Sequence, residues 1–306
     1  MKYLLLLSLL IPFTGMAQPP GDTALMKRHK VRSSVACIAQ VNDPQVRQYR
    51  TVDSSIYDRQ GRLSLQRTYS WYGQPGFTER RFLYNSYDQL ISTLTSGTTS
   101  IRLKDSVTYD AQHRAVAQIA FIGDASLVLT DKVIAYSKKQ ARITDRKNPQ
   151  FIKIKVREDD QHGRLKEERL YDKVVSDDSV EEKEVYQYAP WPSMAVTGKM
   201  TYRRLRGGPL LLYTEEHYMA DSSYSMSRTY ALNEEHKLLE EVHTSRKADS
   251  LNVIRYRTME GRLAPCKREV ILLDSRGLKT AALYYLLDPS GRERLYQEMK
   301  YEYRFN

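Results

Sequence analysis

The sequence predicts an all-β protein in which tandem antiparallel β-hairpins form an extended, twisted or curved meander sheet. A short turn phrase recurs along the chain, and the segments between its copies alternate polar and apolar residues, as in residues 151–156 (FIKIKV). Such alternation is typical of strands with one buried and one wet face. Tyrosine outnumbers phenylalanine by 23 to 6, and its solvated hydroxyl suits half-exposed sheet faces.

The turn phrase is clearest at residues 57–63 (YDRQGRL). Asp58 is expected to accept hydrogen bonds from nearby backbone amides, and Gly61 to supply the positive φ that other residues resist. Where His113 or Gln140 replaces glycine, the turn must adopt another geometry or accept strain. Later copies place further candidate turn glycines at Gly163, Gly261, Gly277 and Gly291.

The copies follow one another at a regular distance, with about 26 residues between their tyrosines, a period typical of repeat architectures. Each period has room for two strands. A single hairpin is only marginally stable in water, so we expect the hairpins to stack side by side. The tyrosines that set this period are Tyr57, Tyr84, Tyr109 and Tyr136.

Residues 1–17 predict a signal peptide. Lys2 is followed by a short apolar stretch, and Gly15 and Ala17 are small residues at the positions that a signal peptidase reads. The stretch is short for a membrane span, so no transmembrane span is expected once the signal is removed. We therefore expect an exported protein that is periplasmic, extracellular or associated with the outer membrane.

The remaining chain divides into two predicted parts. Residues 18–47 are interpreted as an N-terminal leader, because a Pro-Pro-Gly breaker and a basic run precede the first strand pattern. Residues 48–306 form the β-hairpin repeat region. A boundary between sub-domains is one interpretation of the prolines near residue 190; a longer loop within a continuous sheet is the other.

The formal net charge is +11, and the basic residues are scattered through the predicted strands. Attraction to an anionic partner is one interpretation. Solvation and protection of exposed strands is favoured, because charges spread so evenly do not suggest a focused patch. No specific nucleic-acid partner is expected.

Two cysteines, Cys37 and Cys266, are present. In an exported protein they are candidates for a disulfide, which would close a very long loop and add about 4–5 kcal/mol at most. The alternative is two separate buried thiols. The disulfide is the favoured interpretation.

Nothing in the sequence indicates catalysis. Nucleophile-elbow, phosphate-loop and zinc-protease motifs do not occur, and the histidines lack metal-ligand spacing. Adjacent carboxylates on a strand point to opposite faces and cannot form a catalytic pair by themselves. We therefore predict a protein that is not an enzyme and has no cofactor or metal. The candidate ligand-binding residues are aromatic: Trp71, Tyr72 and Trp191.

The turn phrase resembles the YD (RHS-type) repeat, most clearly at residues 57–63. Large members of that family build β-strand shells around toxin domains; for a chain of this length the resemblance implies a repeated hairpin sheet and not toxin delivery. The signal and the Ala17-Gln18 junction also resemble those of small exported repeat proteins of Bacteroidetes-type bacteria.

The expected function is binding or scaffolding at the cell envelope, with a glycan, a protein or an anionic polymer as partner. An envelope hydrolase with carboxylates from distant strands and a periplasmic carrier of an apolar ligand are the alternatives. The sequence leaves the oligomeric state open. Because no histidine cluster is expected near the tryptophans, binding should change little between pH 6 and 8.

We predict that the exported protein begins at Gln18, because Gly15 and Ala17 place small residues before that bond. N-terminal sequencing of protein recovered from the envelope fraction measures this directly. A protein in that fraction that still begins at Met1 would contradict the prediction.

Overall fold

The computed structural model describes residues 20–41, 48–70, 76–98, 102–123, 127–176, 179–205, 208–219, 221, 223–233, 235, 237–259, 261–288 and 290–305. One helix precedes a sheet of 20 strands.

The elements follow one another as α1 (Pro20–Arg28), β1 (Val31–Gln40), β2 (Arg50–Tyr57), β3 (Leu63–Tyr69), β4 (Phe77–Tyr84), β5 (Leu90–Gly97) and β6 (Leu103–Tyr109). Next come β7 (Ala115–Ile122), β8 (Leu127–Ser137), β9 (Gln140–Asp145), β10 (Ile152–Asp159), β11 (Leu165–Asp172), β12 (Val180–Tyr188) and β13 (Val196–Arg204). The last are β14 (Leu210–Tyr218), β15 (Tyr224–Tyr230), β16 (Leu238–Arg246), β17 (Ser250–Met259), β18 (Arg262–Leu273), β19 (Lys279–Leu287) and β20 (Glu293–Phe305).

Each strand pairs antiparallel with the next strand in the chain, which confirms the predicted hairpin meander. The sheet is nevertheless closed: β1 pairs with β2 on one side and with β20 on the other. The expectation of an open, extended sheet is therefore wrong. Closure satisfies the backbone groups that two open edges would leave unpaired.

The closing strand comes from residues 18–47, which the sequence pattern presented as a leader. This segment holds α1 and β1. Across the closure, Cys37 lies opposite Thr51 of β2 and Lys300 of β20. The sheet also continues across residue 190, because β12 and β13 pair directly.

Cys37 and Cys266 do not form the expected disulfide, and both are free thiols. Cys37 lies in β1 and Cys266 in β18, with β19 and β20 between them. Three strand spacings amount to about 14 Å, whereas bonded cysteines need Cα atoms within about 7 Å. The Cys37 sulfur instead lies 3.7 Å from the Thr51 hydroxyl, and the Cys266 thiol donates to the Arg255 carbonyl at 3.3 Å.

The meander gives the closed sheet two ends. The end that holds α1 and the turns after even-numbered strands is called the helix end, and the other is called the opposite end. Among the described residues, every exposed aromatic side chain lies at the helix end, whereas the large hydrophobic side chains exposed at the opposite end are leucine, valine and methionine. The aromatic ones are Tyr87, Tyr136, Trp191 and Phe305.

The recurring turn has the geometry that its sequence implies. Asp58 Oδ1 accepts from the backbone N–H of Gln60 at 2.9 Å and of Arg62 at 3.0 Å. His113 adopts a φ of 62°, so the turn without glycine keeps the left-handed conformation and accepts the strain. Gln140 is the first residue of β9 and lies outside such a turn. The five candidate glycines have φ angles of 77° (Gly61), 76° (Gly163), 78° (Gly261), 81° (Gly277) and 83° (Gly291).

A contact between tyrosine and arginine joins successive hairpins, and we call it the Tyr–Arg clasp. The Arg62 guanidinium lies 4.8 Å from the centre of the Tyr84 ring, and the Tyr84 hydroxyl donates to the Leu63 carbonyl at 3.0 Å. The contact combines a cation–π attraction with a hydrogen bond across hairpins. The same arrangement joins Arg114, Tyr136 and Ala115, and again Arg164, Tyr188 and Leu165.

The most compact apolar cluster lies at the helix end. Met26 of α1, Val31 and Leu278 are buried together, and Tyr57 and Tyr303 pack around them. The helix thereby rests on the turn after β2 and the turn after β18. No helix in the described part of the chain is long and apolar enough to cross a membrane.

Replacing Gly61 should destabilise the fold more than replacing Gly163. A Cβ atom at Gly61 would lie 2.4 Å from the Lys27 backbone nitrogen, whereas a Cβ at Gly163 meets no atom within 4 Å. Left-handed strain costs each valine variant roughly 1–3 kcal/mol, and Gly61→Val should lose about 1–3 kcal/mol more through the clash with α1. Urea unfolding followed by circular dichroism measures both.

Gly61→Ala and Gly163→Ala provide the control, because they add only the Cβ atom. Equal losses of stability in the two alanine variants would contradict the packing of α1 against this turn.

Candidate functional site

Trp191 lies in the loop between β12 and β13 at the helix end. Its exposed fraction is 55%. The ring stacks on His162, with ring centres 4.4 Å apart and planes inclined by 10°. We call this pair the Trp191 platform. It presents a flat aromatic surface that does not require a side chain to become ordered on binding.

Arg164 holds the loop that carries the platform. Its Nη1 donates to the carbonyls of Ala189 at 3.1 Å and Ser193 at 3.0 Å, on either side of Trp191. Its Nε donates to Asp160 at 2.7 Å, so the turn that positions His162 and the loop that positions Trp191 share one arginine. The side chain of Arg164 is 11% exposed. Charge-assisted hydrogen bonds at such a site are stronger than neutral ones, and the loop is fixed accordingly.

A second ring pair lies at the same end. Tyr87 and His113 have ring centres 4.0 Å apart, with planes inclined by 51°. As at the Trp191 platform, one ring comes from the recurring turn and the other from a neighbouring turn. The repeat therefore generates aromatic pairs wherever two adjacent turns carry rings.

Of the three candidate binding residues, the structure describes Trp191. Trp71 and Tyr72 lie outside the described residues. Trp191 stands at a loop tip. The sequence predicted no histidine cluster near the tryptophans, and one histidine, His162, contacts Trp191 because the turn after β10 and the loop after β12 are neighbours. The spacing of His162 and Trp191, close to one repeat period, was the sequence signal for this contact.

Two carboxylates from the strands on either side of β15 lie near Arg228, which belongs to β15. Arg228 donates to Glu241 at 2.6 Å and lies 3.9 Å from Glu215. Each carboxylate also holds a histidine: Glu215 contacts His217 at 2.8 Å, and Glu241 contacts His243 at 2.5 Å. The hydrolase alternative would need two carboxylates from distant strands that face each other across a cleft.

The charge state of this pair does not suit hydrolysis. Burial raises the pKa of both Glu215 and Glu241, but hydrogen bonds from their histidines and from Tyr230 or Arg228 outweigh it and leave each pKa below its usual value. A glycosidase needs one carboxyl with a raised pKa that serves as general acid. These carboxylates are therefore better suited to bridging strands than to donating a proton.

Raised carboxyl pKa values occur on another face of the sheet. Burial raises the pKa of Asp53 and of Asp105, and burial lowers the pKa of Lys132. Alternation and register place Asp53, Asp105 and Lys132 on one side of the sheet. Because this side of the sheet carries desolvated charged groups, it suits contact with polar molecules better than contact with an apolar ligand. Within the described ranges, no three metal-ligating side chains come together.

No protein-family model matches the sequence, and no curated protein matches it. Solved structures with distant similarity include a protein of unknown function from Bacteroides fragilis NCTC 9343, with 14% identity over 38% of this chain and 89% of that chain and a TM-score of 0.30. A TcdB2–TccC3 structure has 10% identity over 83% of this chain and 17% of that chain, with a TM-score of 0.33.

A porin-like protein from Bacteroides uniformis ATCC 8492 has 10% identity over 90% of this chain and 97% of that chain, with a TM-score of 0.24. In the TcdB2–TccC3 comparison, this chain spans about a sixth of the length of the other chain. Identities and TM-scores at this level assign neither a family nor a function.

Glu241→Gln should destabilise the protein at neutral pH and cost little in acid. The pKa of Glu241 is lowered in the folded state, so its contribution is present above the unfolded value of about 4.3 and is lost as the pH falls through the lower folded value. Losing charged hydrogen bonds at this site should cost roughly 1–3 kcal/mol at pH 7. Urea unfolding at pH 7 and pH 3 measures the difference.

Glu235→Gln is the matched control, because Glu235 is 62% exposed and pairs with Lys237 at the surface. That variant should change stability by less than about 0.5 kcal/mol at either pH. A loss in Glu241→Gln that persists undiminished at pH 3 would contradict the assigned charge state.

Proposed function

We propose that the protein is a non-enzymatic, exported binding or scaffolding protein of the cell envelope that holds its partner through the Trp191 platform. The observation that supports this proposal most directly is the exposed Trp191 ring, stacked on His162 and fixed by Arg164. Exposed side chains of this size that are held in place are typical of binding sites on loops.

The platform is already ordered in the free protein, and this favours binding. A ring that already has its bound orientation loses little conformational entropy on association. The loop of Trp191 is tied at Ala189 and Ser193, and its neighbour ring is tied through Asp160, which accepts from the backbone N–H of His162 at 2.8 Å.

The partner class proposed is a glycan of the envelope. A flat, exposed indole can stack against the apolar face of a sugar ring, and polar side chains around it remain available for hydroxyl groups. The location rests on residues 1–17, whose pattern predicts export. The repeated turn phrase, now seen as one recurring turn geometry, supports the resemblance to YD repeats as part of the same proposal.

Trp191→Ala should weaken binding of envelope polysaccharide at least tenfold, which corresponds to about 1.4 kcal/mol. Trp191→Phe should weaken it less, because a ring is retained. Purified protein and fluorescent envelope polysaccharide, measured by microscale thermophoresis, give the dissociation constants. The melting temperature of both variants should stay close to that of the wild type, since the side chain is exposed.

Met194→Ala is the matched control, because Met194 lies three residues further along the loop and is 62% exposed. Unchanged binding in Trp191→Ala would remove the platform from the proposal. Hydrolysis of the polysaccharide that Glu241→Gln abolishes would replace the binding function with the enzyme alternative.

A further inference from the structure

Two cations face each other directly across neighbouring strands. Arg255 of β17 lies opposite Lys267 of β18, and both side chains belong to exposed residues. Residues directly opposite in an antiparallel pair have Cβ atoms about 5 Å apart, and like charges in that position destabilise the sheet. An anion held between the two groups would offset this repulsion.

Another cross-strand cation pair in the same sheet shows how the protein supplies such an anion internally. Arg169 lies opposite Lys183, and Glu167 bridges them: its carboxylate accepts from the Arg169 guanidinium and lies 3.0 Å from the Lys183 ammonium. Across the described ranges, no carboxylate bridges Arg255 and Lys267 in this way. The Arg255 guanidinium lies 3.6 Å from Glu240, and Lys267 has no ion pair with a described residue.

Further positive charge surrounds this pair. Arg257 follows Arg255 on the same side of β17, and Leu286 separates Lys267 from Arg294 across β19. Arg257 and Arg294 are both exposed. Arg255, Arg257, Lys267 and Arg294 thus lie on one face of β17, β18 and β20. Glu240 and Glu269 lie on the same face.

A cavity of about 190 Å³ lies at the cation pair, and Val253, Tyr284 and Tyr296 complete its walls. Pockets for drug-sized ligands measure about 300–1,000 Å³, so this one suits a small ion or one polar group of a larger molecule. Arg268 also borders the cavity, but its donors are committed to Asn252 at 2.7 Å and Glu293 at 2.7 Å.

Tyrosine hydroxyls and one carboxylate set the polarity of the cavity. Burial, together with the neighbouring Glu269, raises the pKa of Tyr284, and the Tyr284 hydroxyl donates to the Met299 sulfur at 3.4 Å. Glu269 is the one acidic residue of the lining. Arg255 and Lys267 therefore share the cavity with one lining carboxylate. Glu240 lies beside Arg255, and Arg257 and Arg294 lie on the same face.

We propose that this face binds a phosphate-type oxyanion between Arg255 and Lys267, with the guanidinium as a two-pronged donor and the ammonium as a point charge. The source is either free inorganic phosphate or the phosphate of a lipid headgroup. The site lies on β17–β20, apart from the Trp191 platform, and does not depend on the function proposed for that platform.

Isothermal titration of the full-length mature protein with inorganic phosphate at low salt tests the site. Saturable binding is expected, and Arg255→Gln and Lys267→Gln should each weaken it at least tenfold. Arg169→Gln is the matched control, because its cation pair already has Glu167, and it should bind phosphate like the wild type. Trp191→Ala should also bind phosphate normally, which separates this test from that of the proposed function.

Sedimentation with vesicles distinguishes the two sources. Binding to phosphatidylglycerol vesicles but not to free phosphate, lost in Lys267→Gln, assigns the site to a headgroup; binding to free phosphate assigns it to the ion. A second readout is the melting temperature without ligand. Lys267→Gln should melt no lower than the wild type, because its repulsion with Arg255 is relieved. Arg169→Gln should melt lower, because it loses its ion pair with Glu167. Absence of binding to both phosphate and vesicles, or binding by Arg255→Gln and Lys267→Gln that equals wild-type binding, overturns the proposal.

Discussion

The Tyr–Arg clasp is the interaction on which the sheet depends. Within a hairpin, the turn and the backbone ladder fix two strands, but a hairpin alone is marginal. At three places among the described residues the clasp adds a link from one hairpin to the next: the tyrosine that ends one strand donates to the carbonyl after the preceding turn, and the arginine of that turn covers its ring. Where Gln89 replaces the arginine, the hydroxyl bond from Tyr109 to Leu90 persists at 3.0 Å.

Closure is the second constraint. A meander of hairpins would expose one edge at each end of the chain, and such edges invite pairing with other molecules. β1 removes both edges by pairing with β2 and β20. The small apolar cluster of Met26, Val31 and Leu278 fixes α1 on the same seam. The helix and the closing strand therefore act together, since both come from the segment before the first hairpin.

Polar groups hold much of the sheet where a thick apolar core would otherwise do so. Buried glutamates bridge cations on neighbouring strands: Glu79 accepts from Arg67 at 2.6 Å and from Arg81 at 2.9 Å, and Glu167 and Glu241 repeat the pattern. Such bridges satisfy the charges that a half-wet sheet must carry. They also make exceptions informative: the pair of Arg255 and Lys267, which no described carboxylate bridges, and the exposed ring of Trp191 are surfaces that other molecules can contact.

The sequence by itself determined the local structure. Asp58 and Gly61 specify their turn through short-range hydrogen bonds and a left-handed φ, and alternation specifies strands, because both depend only on neighbouring residues. The tertiary structure decided the rest. That β1 closes the ring, that Cys37 and Cys266 lie too far apart to bond, that His162 supports Trp191 and that Arg255 faces Lys267 all depend on strand order and register across the closed sheet. Those long-range pairings are energetically cooperative, and no short segment of the chain encodes them alone.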